Sequence, residues 1–419
     1  MCRILLIEFM SFKKKLWFNL VIHSLGSLSS FLSLCIILYI YGVEKQGIYA
    51  NLMALISFIG VLGVFGFPQG YIYLINKLNI SAKRLCLFSV YFSFAIFILL
   101  LIILYFNYYF NLNWIDGKLV SNSNFILFSI ATVSLILHGL LRGIYLTINQ
   151  GVGFAFYSIL PAITILGCVG FGIIFEYSNL QELVLISAVL VLFFSVYIVI
   201  KINKLNDDFS IYKIPFKELF NHGTHSFLQA LFYSAQPLFA FWAIKHYNGG
   251  YQDVGYFNIG LFFLQGFLVP VTMLSPYLFE YFTKNSSTNI VKIIAKNKFY
   301  FYDLILAIFL YFSVGVIDSF FFDSEYVIPI KLIQIILFSL PFNIHYRIFL
   351  PYIHAKGFPK YNTLFCIVRL LLFVLLSFLF IYFKFNVLVS LAICWSFSEI
   401  IVFLWIIISI KKIIIYDSL

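Results

Sequence analysis

Six ionisable side chains stand inside or close to long apolar runs of this chain: His138, Arg142, Asp303, Lys331, Arg369 and Glu399. A charge buried in an apolar run of membrane length is costly, so such residues line a path, bind a ligand or pair with one another. Arg369 and Glu399 fall at similar depth in consecutive runs and are expected to form an ion pair, either a static one or one that opens in a coupling step. His138 precedes Arg142 by one turn on the same helical face, at i and i+4. An imidazole changes charge near neutral pH, which suits proton coupling, whereas a cation one turn away favours its neutral form. Arg142 has two readings, contact with an anion or snorkelling to the membrane surface. Lys331 and Asp303, near the ends of their runs, leave the same kind of choice open.

Helices are needed to hold these residues at depth. Of the 419 residues, 63% are hydrophobic and only 10% charged, with a mean hydropathy of +1.02, whereas a soluble domain carries about a quarter charged residues. The chain therefore reads as an all-α polytopic membrane protein. At about 20 apolar residues per crossing, twelve transmembrane helices are predicted, near 16–42, 46–76, 85–106, 124–147, 152–175, 180–202, 217–245, 252–283, 298–322, 326–352, 360–383 and 386–410. With the N-terminus inside, 21 lysines and arginines fall on the cytoplasmic side and only Lys45, Lys118, Lys245 and Lys384 on the other. That division sets the orientation and puts both termini in the cytoplasm. It also accounts for the 27 basic residues against 16 acidic ones without a nucleic-acid partner. At 1.5 Å per residue, Arg369 then lies roughly 14 Å, and Glu399 roughly 17 Å, from the cytoplasmic ends of their spans.

Other chemistries find little support. The six cysteines are scattered singly, with no CxxC pair and no histidine at ligand spacing, so no metal, disulfide framework or cofactor is expected. The apolar run after Lys13–Lys15 is too long for a signal-peptide core, and the first span is expected to be retained. No connection is longer than the 17 residues Asn107–Ser123, which leaves no room for an extramembrane catalytic domain and argues against an enzyme.

The chain repeats itself. Gly47–Asn76 overlays Gly255–Lys284 without a gap, bringing Gly47 to Gly255, Val61 to Val269, Pro68 to Pro276 and Tyr73 to Tyr281. A second echo joins Arg142, Gly151 and Tyr157 to Arg347, Gly357 and Tyr361. The expected architecture is an N-terminal six-helix bundle over 1–202, a cytoplasmic linker over 203–216 and a C-terminal six-helix bundle over 217–419. The two parallel bundles would be related by a pseudo-two-fold along the membrane normal. Pro68 and Pro276 lack an N–H inside predicted spans and are candidate hinges, with packing kinks as the other reading.

Glu44-Lys-Gln-Gly-Ile-Tyr-Ala, Gly66-Phe-Pro-Gln-Gly, Leu141-Arg-Gly-Ile and Asp253-Val-Gly-Tyr-Phe-Asn-Ile-Gly together resemble one family over essentially the whole chain. It is the polysaccharide-transport branch of the multidrug/oligosaccharidyl-lipid/polysaccharide (MOP) superfamily, and within it the Wzx-type O-antigen flippases. The resemblance implies that an undecaprenyl-pyrophosphate-linked repeat unit is moved from the cytoplasmic to the periplasmic leaflet of a bacterial inner membrane. It implies a cavity between the first, second, seventh and eighth spans, to which this sequence brings His23, Asn51, Gln229, Gln236, Asn258 and Gln265. Those side chains are candidate sugar contacts or interhelical hydrogen bonds. Arg142, Arg369 and Lys331 are left to meet the pyrophosphate. The implied partners are the lipid-linked oligosaccharide, membrane lipids, a polysaccharide polymerase and a chain-length regulator. The alternative is an ion-coupled exporter of drugs or small molecules from the same superfamily, against which the first half offers no acidic residue at mid-depth. A polymerase or ligase of O-units would need a large periplasmic loop.

Overall fold

The computed structural model describes residues 2–110, 116–120, 124–148, 152–204, 214–248, 250–284, 304–313, 330–356 and 358–416. Regular structure among them is entirely helical. In order these are α1 (Cys2–Ile36), running on into a π turn Ile37–Tyr41, then α2 (Gly42–Val64), α3 (Phe67–Leu78), α4 (Ala82–Tyr109), α5 (Phe125–Ile148), α6 (Val152–Ile174) and α7 (Leu180–Asn203). There follow α8 (Phe216–Asn248), α9 (Tyr251–Lys284), α10 (Leu304–Ser313), α11 (Ile330–Leu337), α12 (Leu340–Ala355), α13 (Pro359–Tyr382) and α14 (Val387–Tyr416).

Among the described residues, nine helical runs are long and apolar enough to cross a bilayer. The first, Trp17–Leu78, has 62 residues, about three times what one crossing needs. It is interrupted at Gly42, whose φ of +79° suits glycine and ends the π turn. A second interruption falls at Phe65 and Gly66, both left-handed at φ 48° and 69°. Pro68 lies within the first turn of α3, where a missing N–H costs nothing. The predicted second span is thus two helices, and the predicted tenth is also two, α11 and α12, parted at Phe338–Ser339. The predicted ninth span falls largely on residues 285–303 and 314–329, outside the described set, as does the centre of the predicted linker.

The chain forms two compact units, 1–234 and 235–419, and the division falls inside α8. In the first unit α5 is the hub: it packs on α2, α3, α4 and α7, while α6 packs on α1 and α7. Its buried face carries Ser129, Thr132, Ser134 and His138. By contrast α4 leaves Tyr91, Phe94 and Leu99 exposed, a lipid-facing pattern. The core below α5 gathers Phe67, Tyr71, Leu85, Ile136, Leu140 and Ile144. In the second unit α9 packs on α11 and α12, those two pack on α14, and α13 packs on α14. Its core gathers Phe342, Tyr346, Phe349, Phe365, Phe403 and Ile406. The pairing of α2 and α3 with α5, α5 with α7, and α6 with α7 therefore recurs in order as α9 with α11 and α12, these with α14, and α13 with α14.

Candidate functional site

In the first unit the polar side chains converge where α5 meets α6. Pro161, inside α6, has no N–H to donate, so the carbonyl of Tyr157, four residues earlier, loses its helical partner. Nε2 of the buried His138 lies 2.8 Å from that oxygen. A carbonyl only accepts, so Nε2 is the protonated nitrogen, and the imidazole takes the place of the missing backbone donor. Where water is absent this matters, because an orphaned carbonyl in hydrocarbon costs several kcal/mol. The Tyr157 hydroxyl meets Ser195 Oγ of α7 at 3.1 Å, and Tyr145 packs edge-on against the Tyr157 ring at 5.6 Å. Lys201 Nζ donates to the Tyr145 hydroxyl at 3.5 Å. One polar chain thus ties α5, α6 and α7 together.

Arg142, one turn beyond His138, is exposed at the surface of the unit. Its guanidinium lies 5.5 Å from the centroid of the Phe154 ring and within electrostatic range of His23, His138 and Tyr157. His23 is buried on α1, and α1 approaches α6 closely: a Cβ added at Gly26 would stand 2.6 Å from Ile159 Cγ2. Asn51 is buried on α2. The structure therefore gathers Arg142, His138 and His23 around one region of the first unit. Gln229, on the first half of α8, is half-buried, and its Nε2 has no partner among the described residues.

The start of α8 docks on the α2–α3 interruption. Gly66 faces Gly223 so closely that a Cβ on Gly66 would overlap the Gly223 carbonyl oxygen. Phe65 stacks on Phe227 at 4.2 Å, and Tyr73 stacks on His222 at 3.6 Å. Pro68 packs against Gly143 of α5, where a Cβ would be 2.6 Å from its Cα.

In the second unit Arg369 of α13 donates through Nη1 to Glu399 Oε1 of α14 at 3.2 Å, and both side chains are buried. Tyr346, bonded to Cys366 Sγ at 3.4 Å, lies within electrostatic range of the pair. Arg347 donates to the hydroxyl of Thr272 on α9. Gln236 is fully buried, with neither amide atom partnered among the described residues. Asn258 is half-buried, whereas Gln265 and Lys331 are exposed. The backbone of α9 is helical through Pro276; the Pro276 side chain and Asp303 lie outside the described residues. Among the described residues no group of three His, Cys, Asp or Glu could hold a metal.

Two features escaped the sequence reading. The His138–Tyr157 bond was foreshadowed only by a proline four residues past the tyrosine. Ser396 Oγ donates to the carbonyl of Ile335 at 2.6 Å, beside the α11–α12 interruption, and no local pattern marks that serine.

This arrangement of helices is that of a known class of transporters. The chain superposes on an inward-facing multidrug resistance MATE family transporter of the MOP superfamily with a TM-score of 0.68 at 17% identity, covering 95% of this chain and 99% of that one. It superposes on the lipid II flippase MurJ in an inward closed conformation with a TM-score of 0.65 at 17% identity, over 95% and 90% of the two chains. A MOP superfamily transporter from Pyrococcus furiosus, whose binding pocket is described as reversed in polarity, matches at 0.63 and 15% identity over 96% of each chain. No protein-family model and no curated protein matches the sequence. At these identities the likeness is one of fold: a multi-pass membrane protein with the architecture of MOP superfamily transporters.

Proposed function

We propose that the chain is a flippase that carries an undecaprenyl-pyrophosphate-linked O-antigen or related polysaccharide repeat unit from the cytoplasmic to the periplasmic leaflet by alternating access. It would act as a twelve-helix, two-bundle protein of the bacterial inner membrane with both termini cytoplasmic. The observation that carries this reading is the charge of the first unit. Among its described side chains, every carboxylate lies in a connection or in the first turn of a helix, as Glu44, Asp116, Glu176, Glu182 and Glu218 do. Arg142 stands exposed on a span, within electrostatic range of His23. A wall with a guanidinium and amides suits a diphosphate joined to sugars; it does not suit a cationic drug. Gln229 and Gln236, with unsatisfied amide atoms, would meet sugar hydroxyls. Arg369 and Glu399 serve in this reading as a structural pair.

Deletion of the gene should accumulate single lipid-linked repeat units on the inner leaflet. Arg142→Ala should lower translocation at least tenfold, with partial rescue by Arg142→Lys. Repeat units accumulating on the periplasmic leaflet would point instead to a polymerase or ligase. The second reading, an ion-coupled exporter of drugs or small molecules, rests on the near-complete overlap with the MATE structure. It requires efflux of a cationic dye that Glu399→Gln abolishes, with lipid-linked units unaffected.

A further inference from the structure

In the second unit, α10, α11 and α14 enclose a groove of about 410 Å³, lined by Ile308, Phe312, Ile335, Phe338, Ile393 and Phe397 among others. Phe312, Phe397 and Ile308 are exposed along it, so it opens to the side, where the bilayer lies. Its wall is almost wholly apolar, and two polar contacts beside it are made within the protein. Ser396 donates to the Ile335 carbonyl, which the helix leaves free because the N–H of Ser339 turns to Ile336 instead. Gln334 Nε2 donates to the Tyr311 carbonyl at 2.9 Å, fastening α11 to α10. The groove thus has no need of water. On α11 Lys331 and Ile335 stand at i and i+4 and share one face, so the exposed Lys331 lies one turn beyond Ile335 of the groove.

We infer that this groove holds one acyl chain of an anionic phospholipid, with the phosphate against Lys331. Shape and lining argue for an acyl chain: the groove is apolar, narrow between three helices and open to the side from which a lipid chain would enter. Charge argues for the anionic head, since a cation at the membrane surface attracts phosphate. This assigns Lys331 to a resident lipid in place of the substrate pyrophosphate that the family resemblance implies for it.

The test uses the purified full chain in detergent and its melting temperature after addition of phosphatidylglycerol or phosphatidylcholine of equal chain length. Phosphatidylglycerol should raise it by several degrees more than phosphatidylcholine. Lys331→Ala should abolish that difference while keeping the response to phosphatidylcholine, and Ile393→Trp, which fills the groove, should shrink the response to both. Equal responses of the unaltered protein to the two lipids would overturn the proposal. So would a preference that survives Lys331→Ala, or responses untouched by Ile393→Trp. Inorganic phosphate alone matching phosphatidylglycerol would reduce the site to a free anion site, and displacement by stoichiometric polyprenyl phosphate would make it a substrate site; either result rejects the acyl-chain assignment.

Discussion

Arg369 and Glu399 are worth more to the fold as a pair than either is alone. Removing one partner strands a buried charge, so Arg369→Ala or Glu399→Ala should destabilise the protein by about 3–5 kcal/mol, whereas the double replacement by leucine should cost far less. Melting curves of the four proteins check this, and a transport assay on the same set separates structure from mechanism. If the double variant moves substrate, the charges serve packing; if it is stable and inert, they serve coupling. His138 has a narrower task. With His138→Ala the Tyr157 carbonyl has no donor, a loss of about 1–3 kcal/mol, and His138→Gln, whose amide can donate, should recover part of it. A chemical denaturation series reads both. Depth alone was legible for these residues, since apolar runs and helical rise place Arg369 and Glu399 opposite each other. Which nitrogen of His138 is protonated was not, because that depends on how α5 is rotated against α6.

The α2–α3 interruption is an element built for close approach. Gly66 combines a left-handed backbone with contact against Gly223, so Gly66→Ala is both strained and obstructed and should cost stability or dislodge the start of α8. Gly223→Val should do the same from the other side. Tyr73 and His222 stack at 3.6 Å, so cysteines placed at both positions should be bridged by a bis-methanethiosulfonate reagent that spans the two side chains it replaces. If the two helices part during transport, the cross-link should stop it and reduction should restore it; transport that continues through the cross-link would show that the contact stays closed. The sequence marks this break with Phe-Gly-Phe-Pro-Gln-Gly and offers Pro68 as a candidate hinge or packing kink. The proline sits harmlessly in the first turn of α3, and the turn is made by Phe65 and Gly66. Phe65 is held in its unusual backbone by stacking on Phe227, a contact far along the chain that no local pattern carries.

For the whole molecule, the distribution of apolar runs was the most legible feature. Among the described residues, helices lie where those runs predicted them, apart from the two interrupted ones, and the pairing of helices in one unit repeats in the other. Orientation can be checked directly: in a cysteine-free background, Lys118→Cys should react with a membrane-impermeant maleimide in intact cells and Lys77→Cys should not. Labelling of both, or the reverse, would reject the proposed topology. What the sequence could not display is how the fold settles broken helices in a medium without water. At Pro161 a side chain from the neighbouring helix supplies the donor that the backbone lost, and at the α11–α12 break Ser396 does the same. That arrangement constrains history as well as structure. A lineage could have gained Pro161 cheaply only after a donor stood at position 138, and could shed that donor only after the proline was gone. Consider the route by which both residues are exchanged for alanine. Taking Pro161→Ala first lets the Tyr157 carbonyl, with two lone pairs, accept from both the restored N–H and His138, whereas taking His138→Ala first strands that carbonyl, so the path between the two pairs runs in one order.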